Sequence, residues 1–180
     1  GVQTCALPIS VVGYSAGYSN TTGGVHAFGA SVLYANTTGS GNAGFGGYDA
    51  AAGGAAASLR YNTTGSNNSA FGVSSLANNT TGNNNTAVGY QAGYTNSTGD
   101  RFVAVGAQAL YSQTTASTNT AVGYQAMYST TTGDENTAVG TFALYTNSTG
   151  VQNQVFGRFA MRYNTTGNYN TALGYSALQS

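Results

Sequence analysis

Residues 85–101 read NTAVGYQAGYTNSTGDR, and residues 119–135 read NTAVGYQAMYSTTTGDE. The second stretch restates the first, two periods on. Gly89, Gly106, Gly123, Gly140, Gly157 and Gly174 each stand 17 residues apart, and Gly72 continues the series upstream. Gly46, Gly29 and Gly13 follow at steps of 26, 17 and 16. One unit therefore carries a nine-residue insertion, within 47–55, and one has lost a residue. Counted from its Asn, each unit places the phased Gly at position 5.

The other positions keep their own chemistry. Position 4 is apolar throughout, from Val12 and Phe28 to Phe156 and Leu173. Position 3 is small, most often Ala. Positions 8 and 9 are typically Ala and then Leu or Met, as in Ala109-Leu110, Ala126-Met127 and Ala143-Leu144. Position 15 is Gly in eight of nine units, with Ala116 the exception. The two glycine positions hold 18 of the 27 glycines, so the glycine is placed and the chain is not a flexible linker.

Asn-Thr-Thr-Gly recurs before each new unit, at 20–23, 36–39, 62–65, 79–82 and 164–167. Those residue types at fixed offsets are turn chemistry. Gly at position 5 lies between apolar stretches and marks a bend or a close backbone approach. The unit reads as a strand over positions 2–6, a strand over 7–11 and a turn over 12–17. No amphipathic run of helical length survives the Gly and Asn spacing. A β-rich repeat of this length predicts an all-β parallel solenoid of about ten 17-residue coils, each strand pairing with its copy in the next coil. Apolar residues at successive positions 3 and 4 give a strand apolar on both faces. One face can line the coil, and the other calls for a second layer, most simply an identical chain.

Composition narrows the function. Of 180 residues, 4% are charged and the net charge is zero, against about 25% charged in ordinary domains. There is no basic patch for nucleic acid. One Cys and one His do not make a zinc site or a disulfide framework. No apolar run is long enough to span a membrane as a helix. No cofactor is expected, and the reading is non-enzymatic: His26 is a variant of position 2, and Asp100-Arg101 and Asp134-Glu135 sit in turns. Tyr90, Tyr94, Tyr124 and Tyr128, at positions 6 and 10, are the candidate ligand-contact surface. Gly72, Gly89, Gly106, Gly123, Gly140, Gly157 and Gly174 are structural. Asn-Thr-Thr also matches a glycosylation acceptor, for which the turn role is sufficient explanation. The adjacent turn threonines do not form the Thr-x-Thr face of an ice-binding strand.

The strings Thr86-Ala87-Val88-Gly89, Thr120-Ala121-Val122-Gly123, Thr137-Ala138-Val139-Gly140 and Thr171-Ala172-Leu173-Gly174 resemble the S-V-A-I-G motif of trimeric autotransporter adhesin heads (the YadA-head type). The same style is similar to repeats of phage-type tail fibres. The likeness covers about residues 10–180, with a longer period than the adhesin motif. It implies a homotrimeric, left-handed β-roll displayed outside the cell, on a bacterial surface or in a virion tail fibre. It also implies adhesion to a host-surface protein or glycan, or service as a fibre shaft. A monomeric ice-binding solenoid is a further alternative. The first nine residues, GVQTCALPI, fit no unit and resemble a translated sequencing adapter. On that reading residues 1–9 are artefactual, 10–180 form the roll, and both ends are fragment ends.

Overall fold

The computed structural model describes residues 9–47 and 56–179. Residues 1–8, with Cys5 and Pro8, residues 48–55 of the insertion, and Ser180 lie outside that range.

Ten short strands follow in order: β1 (Ser10–Val12), β2 (Val25–Phe28), β3 (Asn42–Phe45), β4 (Ser69–Phe71), β5 (Thr86–Val88), β6 (Val103–Val105), β7 (Thr120–Val122), β8 (Thr137–Val139), β9 (Gln154–Phe156) and β10 (Thr171–Leu173). They form one parallel sheet in sequence order. Register follows the repeat: Ala87 pairs with Ala104, and Val88 with Val105. Nine pairings at ~4.8 Å give a rod of roughly 43 Å. The expected β-solenoid is therefore the fold. The insertion does not disturb it, because Gly46 N–H donates to Phe28 O at 3.1 Å and Ser58 N–H to Gly46 O at 3.0 Å.

The expected second strand over positions 7–11 does not form. Positions 7 and 9 adopt positive φ in coil after coil: Gln108 at 58° and Leu110 at 51°, Gln125 at 52° and Met127 at 53°. Extended strands need φ near −120°, so two left-handed residues per segment curl it into turns. The curled segment still bonds to the next coil. Leu110 N–H donates to Ala126 O at 3.1 Å, and Met127 N–H to Ala143 O at 3.0 Å. Inter-coil bonding thus continues around the whole circumference, which offsets the cost of the left-handed residues.

The strand's two faces separate cleanly. Position 3 points inward, with Ala70, Ala87, Ala104, Ala121 and Ala138 fully buried. Position 8 alanines and the position 9 residues Leu76, Leu110, Met127 and Leu144 complete the apolar half of the interior. Position 4 points outward and stays half-exposed.

The other half of the interior is polar, and here the turn reading needs correction. The Asn of Asn-Thr-Thr-Gly, at position 12, faces inward: Asn36, Asn62, Asn79 and Asn96 are fully buried. Each Nδ2 donates to the position 15 carbonyl of its own coil and to the Asn Oδ1 of the coil before. For Asn79 these are Gly82 O at 3.0 Å and Asn62 Oδ1 at 2.7 Å. Position 1 asparagines form a second column. Asn136 donates Nδ2 to Gly150 O at 2.8 Å, and its Oδ1 accepts from Asn153 N at 2.9 Å. A buried amide is stable only when its donors and acceptor are met, and stacking identical coils meets them. Burial also removes these position 12 asparagines from any glycosylating enzyme.

Position 15 Gly follows from the same packing. A Cβ on Gly82 would sit 2.5 Å from Asn79 Oδ1 and 2.4 Å from the next coil's Gly99 O. Where position 12 is Gln113 instead of Asn, position 15 becomes Ala116, the one exception in the series.

Coil five shows a second compensation. Position 9 is Gly93, and the next position 1 is Phe102 where most other coils have Asn. Phe102 is fully buried, and a Cβ on Gly93 would lie 3.0 Å from its Cε2 and Cζ. The ring fills the space left by the missing Leu. Gly93→Leu alone is expected to overpack, costing about 1–3 kcal/mol. Phe102→Asn alone should leave a cavity costing about 3 kcal/mol. The double variant restores the common pattern and is expected within about 1 kcal/mol of the parent. Urea unfolding of the four proteins checks this; simple additivity would show that the two sites do not compensate.

Candidate functional site

Three outward columns border the curled segment, at positions 6, 7 and 10. Because the coils are in register, each column stacks a residue on its copy about 4.8 Å away. At position 10, Tyr94, Tyr111, Tyr128 and Tyr145 form a continuous stack. Ring centroids are 5.3, 4.9 and 5.3 Å apart, and planes lie within 14° of parallel. Tyr18 and Tyr34 repeat the arrangement near the N-terminal end at 5.2 Å.

This places the four sequence-picked tyrosines in two different situations. Tyr94 and Tyr128 belong to the position 10 stack, where Tyr128 has rings on both faces and Tyr94 on the face toward Tyr111. Edges and hydroxyls are what a ligand would meet there. Tyr90 and Tyr124 stand in the position 6 column, separated by Ala107, and are 49% and 47% exposed. Tyr124 meets Phe142 edge-on, with centroids 5.3 Å apart. Tyr111 and Tyr145 complete the stack but escape a search for paired tyrosines, because their position 6 neighbours are Ala107 and Thr141. The 17-residue spacing of the Tyr series was the signal that could have found them. The Tyr111 phenol is held above its ordinary value, first by burial and then by the neighbouring Tyr128, Tyr94 and Tyr90. The Tyr111 hydroxyl is therefore held in its neutral form.

Between these columns runs an amide ladder at position 7. Gln108 Nε2 donates to Gln91 Oε1 at 3.0 Å, and Gln125 Nε2 to Gln108 Oε1 at 2.7 Å. Further along, the column becomes aromatic: Phe142 and Phe159 stack at 5.4 Å. Arg162 takes the place of Tyr at position 10 there. Its guanidinium lies 5.1 Å from the ring centres of both Phe142 and Phe159. Arg158, at position 6 of the same coil, lies 4.4 Å from the Phe159 centre.

The turn carboxylates are occupied locally. Asp134 Oδ1 accepts from Ser117 N, and Glu135 Oε2 accepts from Gln152 Nε2 at 2.6 Å. Both line a shallow groove with Val151, Gln152 and Tyr169. No group of three His, Cys, Asp or Glu that could hold a metal occurs among the described residues. His26 is exposed in β2, at position 2. No helix among the described residues is long and apolar enough to cross a membrane.

The outward side of the sheet is different in kind. Position 4 makes an apolar stripe along the rod, with Phe71 41%, Val88 38% and Phe156 39% exposed. Phe28, Phe45 and Phe71 stack face to face at 4.7 and 4.8 Å. Comparison of the chain with protein-family models, curated proteins and solved structures returns no match.

Proposed function

We propose that this chain is a segment of a non-enzymatic surface fibre, assembled as a homotrimer and acting in adhesion or receptor contact. The observation that carries the reading is the position 4 stripe. Ten apolar side chains line up on one flat face, directed away from the coil's own core. Soluble proteins seldom leave so regular an apolar face uncovered. An identical coil stack supplies a partner of matching pitch, and cyclic symmetry closes the contact. The likeness to the adhesin heads favours three chains around one axis. The sheet faces then meet at that axis, and the Tyr, Gln and Arg columns are left for external contact.

The observations do not favour the ice-binding alternative. The position 2 column, which shares the outward face, is broken by His26, Val103 and Gln154, so no regular threonine array forms. A tail-fibre shaft shares the same trimeric architecture and differs in whether the outer columns bind anything. Light scattering on the purified chain should give three times the chain mass. Immobilised chain should retain host cells above a blank surface. A folded monomer sinks the trimer, and a folded trimer that retains no cells turns the reading to a shaft.

A further inference from the structure

We propose that Arg158, Phe159, Arg162, Tyr163 and Tyr175 form a binding site for a carboxylated sugar. The proposal rests on the adhesion reading and names the ligand class.

The site departs from most of the rod, where Arg60, over Tyr34 and Tyr61, is the other position 10 arginine and has no second arginine beside it. In a stacked repeat a charge at a fixed position faces its own copy, and like charges repel. These two arginines are not repeated in either neighbouring coil, where positions 6 and 10 hold Thr141 and Tyr145 on one side and Tyr175 and Gln179 on the other. Two positive charges instead converge on one ring, at 4.4 and 5.1 Å from its centre. The described carboxylates do not neutralise them. Asp100, Asp134 and Glu135 all lie at positions 16 and 17, in the turn that precedes the strand. Arg162 Nε is buried with no hydrogen-bond acceptor among the described residues. The pair is a local concentration of positive potential with no internal anion, and it suits an external one.

Geometry narrows the anion. A guanidinium presents a planar fork of donors that matches a carboxylate, and rings beneath it hold the fork in place before the ligand arrives. Arg162 is held by Phe142, Phe159 and Tyr163, the last at 5.3 Å. Arg158 is exposed beside them. Two further aromatic rings flank the pair: Tyr163 is 53% exposed, and Tyr175 meets Phe159 edge-on at 6.0 Å. A ring for the C–H face of a sugar beside a cationic fork for its carboxylate is what an acidic sugar requires. A neutral glycan would leave the arginines unused, and a simple anion would leave the tyrosines unused.

The test is a binding titration of the full chain against polygalacturonate, with sialyllactose, dextran and polyglutamate as further arms. Polygalacturonate or sialyllactose is expected to bind, and which of them does so separates an in-chain uronic acid from a terminal acidic sugar. Dextran should not bind, and polyglutamate should bind at least tenfold more weakly. Arg158→Gln, at an exposed position, should weaken the acidic glycan at least tenfold with an unchanged circular dichroism spectrum. Equal binding of polyglutamate, no binding of either acidic glycan, or an unaffected Arg158→Gln variant overturns the site. Cell retention separates the two levels. If the parent and Arg158→Gln retain cells equally, the adhesion reading stands and this site falls. If neither retains cells but the glycan binds through Arg158, the site stands and cell adhesion falls.

Discussion

Val88→Asp combined with Val122→Asp is expected to convert the proposed trimer into a folded monomer. Both side chains occupy position 4, outside the coil, where Val88 is 38% exposed. Neither contributes to the buried cluster of position 3, 8 and 9 residues. The coil's own stability should therefore change little. The two sites are two coils apart, about 9.6 Å at ~4.8 Å per coil, near the Debye length at physiological salt, so their mutual repulsion is weak. In a trimer closed on this stripe, the same substitutions would bury six carboxylates around the axis with no cation near them. An unpaired buried charge costs several kcal/mol, and the sum exceeds what an ordinary interface supplies. Light scattering should fall from three chain masses to one while circular dichroism keeps its strand signal. Val88→Thr with Val122→Thr, which keeps shape and adds no charge, should remain largely assembled. A trimer that survives the Asp pair would show that the chains meet through another face.

How much of this was legible in the residues depends on whether a side chain's direction follows from simple alternation. At positions 2–4 it does. Thr86-Ala87-Val88 alternates, and the structure puts Ala87 inside and Val88 outside, as a period-2 strand requires. Gly at position 5 was also readable, because a periodic Gly between apolar stretches has few other causes. Alternation fails from position 7 onward. Left-handed φ at Gln108 and Leu110 breaks the alternation, and nothing in Gln or Leu announces that conformation. The second strand was therefore misread, and the curl is what lets the adjacent positions 8 and 9 both line the core.

The asparagines failed for a related reason. Asn-Thr-Thr-Gly is turn-like, and Asn36 does close a local turn through Gly39 O at 2.9 Å. What the string does not display is that the same amide reaches Asn20 Oδ1 at 2.6 Å in the coil before. That contact exists only because the units stack, so it belongs to the repeat and not to the motif. The tyrosines lie between these cases. Their 17-residue spacing foretold stacking, but that Tyr94 and Tyr128 each lay one face on Tyr111 follows only from the fold.

Gly123→Ala is expected to cost far more than Gly174→Ala, and the difference measures coil-to-coil contact at position 5. Both residues hold positive φ, 137° and 119°, where an L side chain is strained. That term, about 1–3 kcal/mol, is common to the two. Their surroundings differ completely. A Cβ on Gly123 would lie 2.6 Å from Gly140 O and 2.7 Å from Gly140 C, whereas one on Gly174 would meet nothing within 4 Å. The atoms met at Gly123 are backbone, and they cannot swing away as a side chain could. Gly123 N–H is bonded to Val105 O at 2.7 Å and Gly140 N–H to Val122 O at 2.8 Å, so relieving the clash means prising bonded coils apart. Losing one or two such bonds in a buried ladder adds about 1–3 kcal/mol each. The total for Gly123→Ala is then on the order of 4–6 kcal/mol, a fall of roughly 10–20 °C in melting temperature for a chain of this size. Gly174→Ala should lower it by a few degrees, because a coil at the end of the stack strains without dragging a neighbour. Thermal melts of the two variants under one buffer decide the matter. Equal losses would assign the regular spacing of these glycines to backbone conformation alone, and remove close approach as the reason the repeat keeps its Gly.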